Sequence, residues 1–221
     1  MRGVLALVDF DGVVLRNPQA NQYIHKKVTT YVSKKAGVSM FLAHELNREL
    51  YSSYGHTYLG LKAHGLCNSL KEFNNFVYGT PDEYEHLKLP MGEWEGFCKT
   101  MKEYGVTTKF FSNADQRWLT NFVPYDADLY SFQDYKDSLP ELELLKPHRD
   151  IYDFVHYHLP KYKFALIDDK ICNFTPRLRD PRWHHIWINP SQPHQLHMTT
   201  NQTIAPGLKE AADVIIDLVN R

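Results

Sequence analysis

The stretch Val4-Leu-Ala-Leu-Val-Asp-Phe-Asp-Gly12 decides the fold. Its first five residues form a short, continuous apolar run, which is typical of a strand that is buried on both faces of a parallel sheet. The run ends at two aspartates, Asp9 and Asp11, and a glycine follows at once. We therefore expect a sheet whose first strand presents carboxylates at its end.

Three later segments repeat this pattern of an apolar run followed by polar residues. They are Val106 to Phe111 before Ser112-Asn113, Phe164 to Ile167 before Asp168-Asp169, and His185 to Ile188 before Asn189-Pro190. Helical periodicity is found over Trp94 to Tyr104, Asp150 to His158 and Pro206 to Arg221, the last with a proline in its first turn. Strands that alternate with helices predict an α/β fold, a Rossmann-like doubly wound parallel sheet.

The long segment between the first and second predicted strands is helical in character. Apolar residues at helical spacing predict helices over Gln22 to Lys35, Met40 to Tyr54, Tyr58 to His64 and Leu70 to Tyr78. The expected organisation is therefore an α/β core over residues 1–16 and 90–221, interrupted by an all-helical inserted domain over residues 17–89.

The composition excludes several classes of protein. The chain has 221 residues, 43% of them hydrophobic, and its 25 Lys and Arg against 26 Asp and Glu give a formal net charge of −1. We expect a folded domain with a substantial core and no general field to attract a nucleic-acid polymer or an anionic membrane. Cys67, Cys98 and Cys172 show no paired spacing, which favours a reducing compartment. The N-terminal apolar run is too short for a signal sequence or a membrane span, so we expect a cytoplasmic location.

The polar residues after the predicted strands belong together, because ligands of open α/β sheets bind outside the carboxyl ends of the strands. The candidate site residues are Asp9, Asp11, Ser112, Asn113, Lys146, Asp168 and Asp169. They predict an acidic pocket that contains one lysine side chain and hydroxyl or amide hydrogen-bond donors. Four crowded carboxylates would repel one another unless a hard divalent cation offset them. We therefore predict a Mg²⁺ site formed by Asp9, Asp11, Asp168 and Asp169.

This set of residues suits phosphoryl transfer. A carboxylate can attack phosphorus to form an aspartyl-phosphate, while a second one protonates the leaving alcohol and then activates water. Asp9 and Asp11, two residues apart before a glycine turn, fit these two roles. Ser112, Asn113 and Lys146 are predicted to bind the phosphoryl group of the substrate and to offset its charge.

Four segments that carry these candidate residues resemble the motifs of the haloacid dehalogenase-like (HAD) superfamily: Asp9-Phe-Asp-Gly-Val13, Phe111-Ser-Asn113, Lys146-Pro147 and Ile167-Asp-Asp169. The resemblance implies that Asp9 is the nucleophile and a metal ligand, and that Asp11 is the acid/base and binds the metal through its backbone carbonyl. It also implies phosphate binding by the serine and lysine, and Mg²⁺ at the last acidic pair. Phosphatases and mutases of the superfamily keep an acid at the position of Asp11, whereas the dehalogenase branch usually lacks it.

The helical insertion resembles the cap with which this superfamily closes its site. Within it, Tyr51-Ser-Ser-Tyr-Gly-His-Thr-Tyr-Leu-Gly-Leu61 is similar to a segment in caps of pyrimidine 5′-nucleotidase-type members. Tyr54, His56 and Tyr58 are candidate substrate contacts, since they could stack on a planar base or form hydrogen bonds with it. A helix end, a turn and an aromatic core would explain the same residues equally well.

The leading hypothesis is a Mg²⁺-dependent HAD-like phosphatase that hydrolyses a small phosphomonoester, for example a nucleoside monophosphate, through an aspartyl-phosphate. Its partner would then be a small phosphorylated metabolite. Two alternatives stay open at this point: a phosphosugar mutase of the same fold, and a catalytically idle binding or scaffold protein. The sequence does not indicate the oligomeric state.

Overall fold

The computed structural model describes residues 3–136, 139, 142–192 and 196–221. Within these ranges one sheet of six strands has the order β2-β1-β3-β4-β6-β5. Its strands are β1 Val4–Val8, β2 Thr107–Phe110, β3 Lys163–Asp168, β4 Trp183–Ile188, β5 Leu196–Thr199 and β6 Gln202–Ala205. Only β5 runs antiparallel to its neighbour. The structure thus confirms the predicted α/β fold with a parallel sheet.

The helices of the same ranges are α1 Pro18–Ala36, α2 Met40–Tyr54, α3 Thr57–Ala63, α4 Leu70–Tyr78, α5 Gly92–Glu103, α6 Gln116–Phe122, α7 Ala127–Tyr130, α8 Arg149–His158 and α9 Leu208–Asn220. Short 3-10 turns occur at Pro81–Glu83, Glu85–Leu87, Gln133–Tyr135 and Ile171–Arg177. Among the described residues, no helix has the length and apolar character needed to cross a membrane.

The first strand is an interior strand of the sheet, and both of its faces are apolar. Every residue of β1 is buried, and the strand pairs with β2 on one side and β3 on the other. Side chains of a strand alternate between faces, so Ala6 and Val8 join one hydrophobic cluster while Leu5 and Leu7 join the other. Helices therefore cover the sheet on both faces, as a doubly wound sheet requires.

The strand register brings the polar clusters to one edge. Val8 is opposite Phe110 of β2 and Ile167 of β3. Because all three strands are parallel, the residues that follow them leave the sheet side by side. Asp9, Ser112 and Asp169 are thereby placed at a common edge before any side-chain contact is considered.

The insertion between β1 and β2 carries helices α1 to α4, and the predicted α2 bounds agree with the structure. Side chains cap the starts of all four helices, from Asn17, Ser39, His56 and Ser69. Ser and Asn have a high propensity for this position. Gly37 and Gly55 end α1 and α2 in the left-handed conformation, which only glycine adopts readily. The division into a core and an inserted domain over residues 17–89 stays a prediction.

The structure differs from the sequence prediction in the start of α1, which is Pro18 and not Gln22, in the start of the last helix, and in an additional hairpin. The last helix begins at Leu208, with Gly207 as its N-cap, so the prediction that Pro206 lies in its first turn is wrong. The backbone N–H of Leu208 donates to the Glu93 carboxylate at 2.7 Å, and this long-range bond helps to fix where the helix begins. The hairpin of β5 and β6 was not expected, because neither short strand has a continuous apolar run.

Candidate active site

The turn after β1 sets the geometry of the two catalytic candidates. The backbone carbonyl of Phe10 accepts hydrogen bonds from the N–H groups of Val14 and Leu15, both at 2.9 Å, which closes a tight loop. Gly12 has φ +88°, and a Cβ there would lie 2.5 Å from an oxygen of Asp169. A glycine is therefore required for two reasons, the backbone conformation and the close approach of the carboxylate.

Lys146 is buried among the carboxylates. Its Nζ lies 2.5 Å from Asp168 and 3.1 Å from Asp9, and only 1% of its side chain is exposed. Asp168 also accepts hydrogen bonds from the Asn173 amide at 2.9 Å and from the Lys170 backbone N–H at 2.8 Å. Burial raises the pKa of Asp168, and the Lys146 ammonium counteracts that effect. The lysine thus offsets part of the negative charge within the site.

The acidic cluster fits a hard divalent cation. Carboxylate oxygens of Asp9, Asp168 and Asp169 lie within 4.8 Å of one another, and oxygen is the ligand atom that Mg²⁺ prefers. Asp169 Oδ1 is buried with no hydrogen-bond partner among the described residues, an arrangement that is costly unless something else satisfies the oxygen. Burial, and then the charge of Asp9, raises the pKa of Asp169. The donor set and the orphaned oxygen both match the predicted metal site, whereas the assignment of the Asp11 carbonyl to the metal stays a prediction.

Asp11 has a different environment from Asp9. Its Oδ1 accepts a hydrogen bond from the indole N–H of Trp118 at 3.0 Å. Burial raises the pKa of Asp11 to about 7, against the lowering effect of the Trp118 hydrogen bond. A carboxyl group with this pKa can both give and take a proton near neutral pH, as a general acid/base must.

Ser112 and Asn113 differ in what their side chains do. Ser112 lines the cavity together with the acids, and its Oγ accepts a hydrogen bond from the Ala114 N–H at 3.2 Å. The Asn113 amide nitrogen donates to the carbonyl of Lys146, and its oxygen accepts from the Lys146 N–H, both at 2.7 Å. These two hydrogen bonds position Lys146. Asn113 also lines the cavity, so its contact with the substrate stays a prediction.

A cavity of about 580 Å³ opens over these residues. Its floor contains Asp9, Asp11, Ser112, Lys146 and Asp169, and its walls come from the inward faces of α1, α2 and α4. The volume lies within the range of small-molecule sites in proteins. The α/β core therefore supplies the charged groups, and the helical insertion supplies the enclosure.

Comparison with known proteins supports the fold. No protein-family model and no curated protein matches the sequence. Among solved structures, the chain is similar to a HAD phosphatase from Thermococcus onnurineus, with 15% identity, a TM-score of 0.56, and coverage of 97% of this chain and 98% of that one. The chain has the haloacid dehalogenase-like fold. A second similar structure, described as a haloacid dehalogenase-like hydrolase from Burkholderia xenovorans LB400, has 13% identity, a TM-score of 0.52, and coverage of 96% and 99%.

On this HAD-like fold, the three predicted contacts from the insertion have different outcomes. His56 lines the cavity, and its Nδ1 accepts the Tyr58 backbone N–H at 3.2 Å. Burial lowers the His56 pKa to about 3, so the ring is neutral. The prediction is wrong for Tyr54 and Tyr58, because neither side chain lines the cavity. Tyr58 packs into the core against Phe73, and Tyr54 packs edge-on against a neighbouring ring. Helix α3 begins between them and turns Tyr58 inward.

Sequence reasoning missed two side chains that the HAD-like fold brings to the acids. Trp118 is on α6, more than a hundred residues after Asp11 in the chain, and no local pattern links the two. Tyr51 on α2 lines the cavity, and burial followed by the nearby negative groups, Asp9 among them, raises its pKa. The helical spacing that places Tyr51 on the same face as Asn47 and His44 was the available signal for this residue.

Proposed function

We propose that this chain is a Mg²⁺-dependent phosphatase that hydrolyses a small phosphomonoester through an aspartyl-phosphate on Asp9. The observation that carries the proposal is the contrast between two neighbouring carboxylates. Asp9 is ion-paired with Lys146, whereas burial raises the pKa of Asp11 to about 7. A carboxyl group with a pKa near 7 is suited to the acid/base role, and a neighbouring carboxylate that is paired with a lysine is suited to the nucleophile role.

In the first step, a carboxylate oxygen of Asp9 attacks phosphorus and the bond between phosphorus and the ester oxygen breaks. The leaving alcohol takes its proton from Asp11. Asp11 then removes a proton from a water molecule, whose oxygen attacks the phosphorus of the aspartyl-phosphate. The bond between phosphorus and Asp9 breaks, which releases inorganic phosphate and regenerates both aspartates.

The remaining polar groups bind and orient the phosphoryl group. Lys146 and the Ser112 hydroxyl face the cavity and would offset charge on the phosphoryl oxygens. Asp9, Asp168 and Asp169 would hold Mg²⁺, which when bound offsets the negative charge of the phosphate. Asn113 keeps Lys146 in place through the two hydrogen bonds to its backbone.

The cavity indicates the size of the substrate. Its walls combine apolar side chains such as Ile24, Phe73 and Val77 with polar ones such as Asn47 and His56. The helical insertion would thus act as a cap that selects an organic group of metabolite size, and a nucleoside monophosphate is one candidate. The cysteines are all free thiols, which is consistent with the cytoplasm or another reducing compartment.

The test is a phosphate-release screen over nucleotides and sugar phosphates, with and without Mg²⁺. We expect metal-dependent release that Asp9→Asn abolishes and that Asp11→Asn reduces by roughly 10²–10⁴-fold. Asp115→Asn is the matched control, because Asp115 caps α6 and Asn caps helices equally well.

Three outcomes would contradict the proposal. Release by Asp9→Asn at the wild-type rate would exclude the aspartyl-phosphate. Transfer of phosphate between positions of one sugar, with little release to water, would indicate a mutase. Mg²⁺ binding without release from any compound tested would indicate a binding protein.

A further inference from the structure

The cavity wall carries basic side chains that the proposed hydrolysis does not use. His25 projects from α1, and His44 and Arg48 project from α2. Asn21, one helical turn before His25, lines the same wall. These side chains are solvent-exposed. The acidic lining residues, Asp9, Asp11 and Asp169, all come from the α/β core.

The course of α2 separates the basic group from the catalytic acids. At the C-terminal end of the helix, a Cβ on Gly55 would collide with the ring of Pro147, next to Lys146. Ser52, near that end, lines the cavity. With a rise of 1.5 Å per residue, Arg48 lies about 6 Å and His44 about 12 Å further along the helix than Ser52. The cavity is thus polarised, with acids and Lys146 at one end and basic side chains at the other.

The basic side chains have donors available for a ligand. The rings of His25 and His44 meet edge to face with centroids 5.0 Å apart. Neither ring has a hydrogen bond or an ion pair within the part of the chain that the structure describes. Arg48 forms one ion pair, in which Nη2 contacts Glu45 at 2.5 Å, and its side chain is 74% exposed. A guanidinium has five N–H donors, and an exposed ion pair of this kind is weak, so Arg48 can bind a second partner.

We propose that His25, His44 and Arg48 bind a second anionic group, a carboxylate or a phosphate, on the leaving-group side of the substrate. The inference rests on the proposed phosphatase function and adds a substrate class to it: phosphomonoesters whose leaving group carries an additional acidic group that reaches roughly 6–12 Å beyond Ser52 along α2. Arg48 supplies a planar, permanently charged donor that matches either anion. The two imidazoles supply further N–H donors from the facing helix.

The test compares matched substrates that differ only in the distal group. One series consists of ω-carboxyalkyl phosphates of increasing chain length, a second of alkane bisphosphates, and a third of alkyl phosphates of the same lengths. The value of kcat/KM for phosphate release is measured for the wild type, Arg48→Gln, His25→Gln and His44→Gln. Arg149→Gln is the matched control, because Arg149 is 76% exposed and pairs with an acid on its own helix, Asp153.

We expect the wild-type kcat/KM to be about tenfold higher for a substrate with a distal anionic group than for the alkyl phosphate of equal length, through a lower KM. One charge-assisted hydrogen bond accounts for such a factor. The preference should pass through a maximum as the chain lengthens. Arg48→Gln should bring the ratio close to one, the two histidine variants should reduce it, and Arg149→Gln should keep the wild-type ratio. The arm that is preferred identifies the anion as carboxylate or phosphate.

Two results would overturn the inference, and they are distinguishable. Equal kcat/KM for anionic and alkyl substrates, or a preference that survives in Arg48→Gln, would refute the anion site while leaving the phosphatase function intact. No phosphate release from any series by the Mg²⁺-loaded wild type would refute the phosphatase function, and the anion site with it.

Discussion

Replacement of Lys146 by methionine tests the charge balance of the candidate site. Lys146 Nζ is paired with Asp168 and Asp9, at 2.5 and 3.1 Å, and both Lys146 and Asp168 are almost fully enclosed. Removal of one partner of a buried pair leaves an uncompensated charge, which costs about 3–5 kcal/mol. We expect Lys146→Met to lower the free energy of unfolding by this amount at about pH 8 in metal-free buffer.

The loss of unfolding free energy in Lys146→Met should depend on pH. Burial raises the pKa of Asp168 to about 7 in the folded protein, so the folded state takes up a proton there more readily than the unfolded state does. Once Asp168 is protonated, Lys146 no longer offsets its charge. The difference between wild type and Lys146→Met should therefore be largest above pH 7 and should shrink as the pH falls to about 5.

Urea unfolding followed by circular dichroism measures these differences. The double variant Lys146→Met/Asp168→Asn should regain about 2 kcal/mol over Lys146→Met alone, because Asn removes the stranded charge but keeps an acceptor for Lys170 and Asn173. Lys170→Met is the control: Lys170 contacts Asp169 at 2.7 Å but is 48% exposed, so we expect a loss below about 1 kcal/mol. A loss below about 1 kcal/mol for Lys146→Met, or no recovery in the double variant, would refute the reasoning.

Three further predictions concern single residues. Gly55→Ala should destabilise the fold and lower kcat/KM, because the left-handed backbone and the nearby Pro147 ring exclude a Cβ. Gly37 is also left-handed but has open space around it, so Gly37→Ala should lower the free energy of unfolding by only about 1–2 kcal/mol. Equal losses in the two variants would contradict this prediction. Asn113→Ala removes two hydrogen bonds to Lys146, so it should lower the free energy of unfolding, measured in urea, by about 2 kcal/mol and should reduce kcat/KM. Unchanged values would show that Lys146 is positioned by other residues. His185 is fully buried with both ring nitrogens unpartnered among the described residues, and burial lowers its pKa from 6.5 to about 4. As the pH is lowered through this interval, the unfolded state binds a proton before the folded state does. The free energy of unfolding should therefore decrease by up to about 3 kcal/mol more in the wild type than in His185→Leu. Parallel pH profiles of the two proteins would disprove this.

Much of the fold could be predicted from the sequence because the deciding signals are local. Five consecutive apolar residues predict that β1 is a strand buried on both faces, and all five residues are buried. The helix ends at Gly37 and Gly55 follow from glycine's access to the left-handed conformation. The hairpin of β5 and β6 was not predicted because β6 pairs with β4, a non-local contact, and β5 pairs in turn with β6.

The candidate site was predictable only in part. Asp9, Ser112 and Asp169 could be grouped from the sequence because parallel strands bring their ends to one edge. The roles of side chains that act through tertiary contacts could not be predicted from the sequence. Asn113 occupies its amide on Lys146, and the Trp118 indole reaches Asp11 from α6. Neither contact has a signature in the spacing of residues.

The sequence by itself determined the α/β architecture and the set of charged groups, because hydrophobic periodicity and strand-end chemistry depend on neighbours in the chain. Only the tertiary structure decided the electrostatic state of those groups and which residues face the cavity. The pKa of Asp11 depends on burial that distant elements create. Tyr58 turns into the core while His25 and His44 face the cavity, because the relative rotation of packed helices is set by the whole fold and not by any one helix.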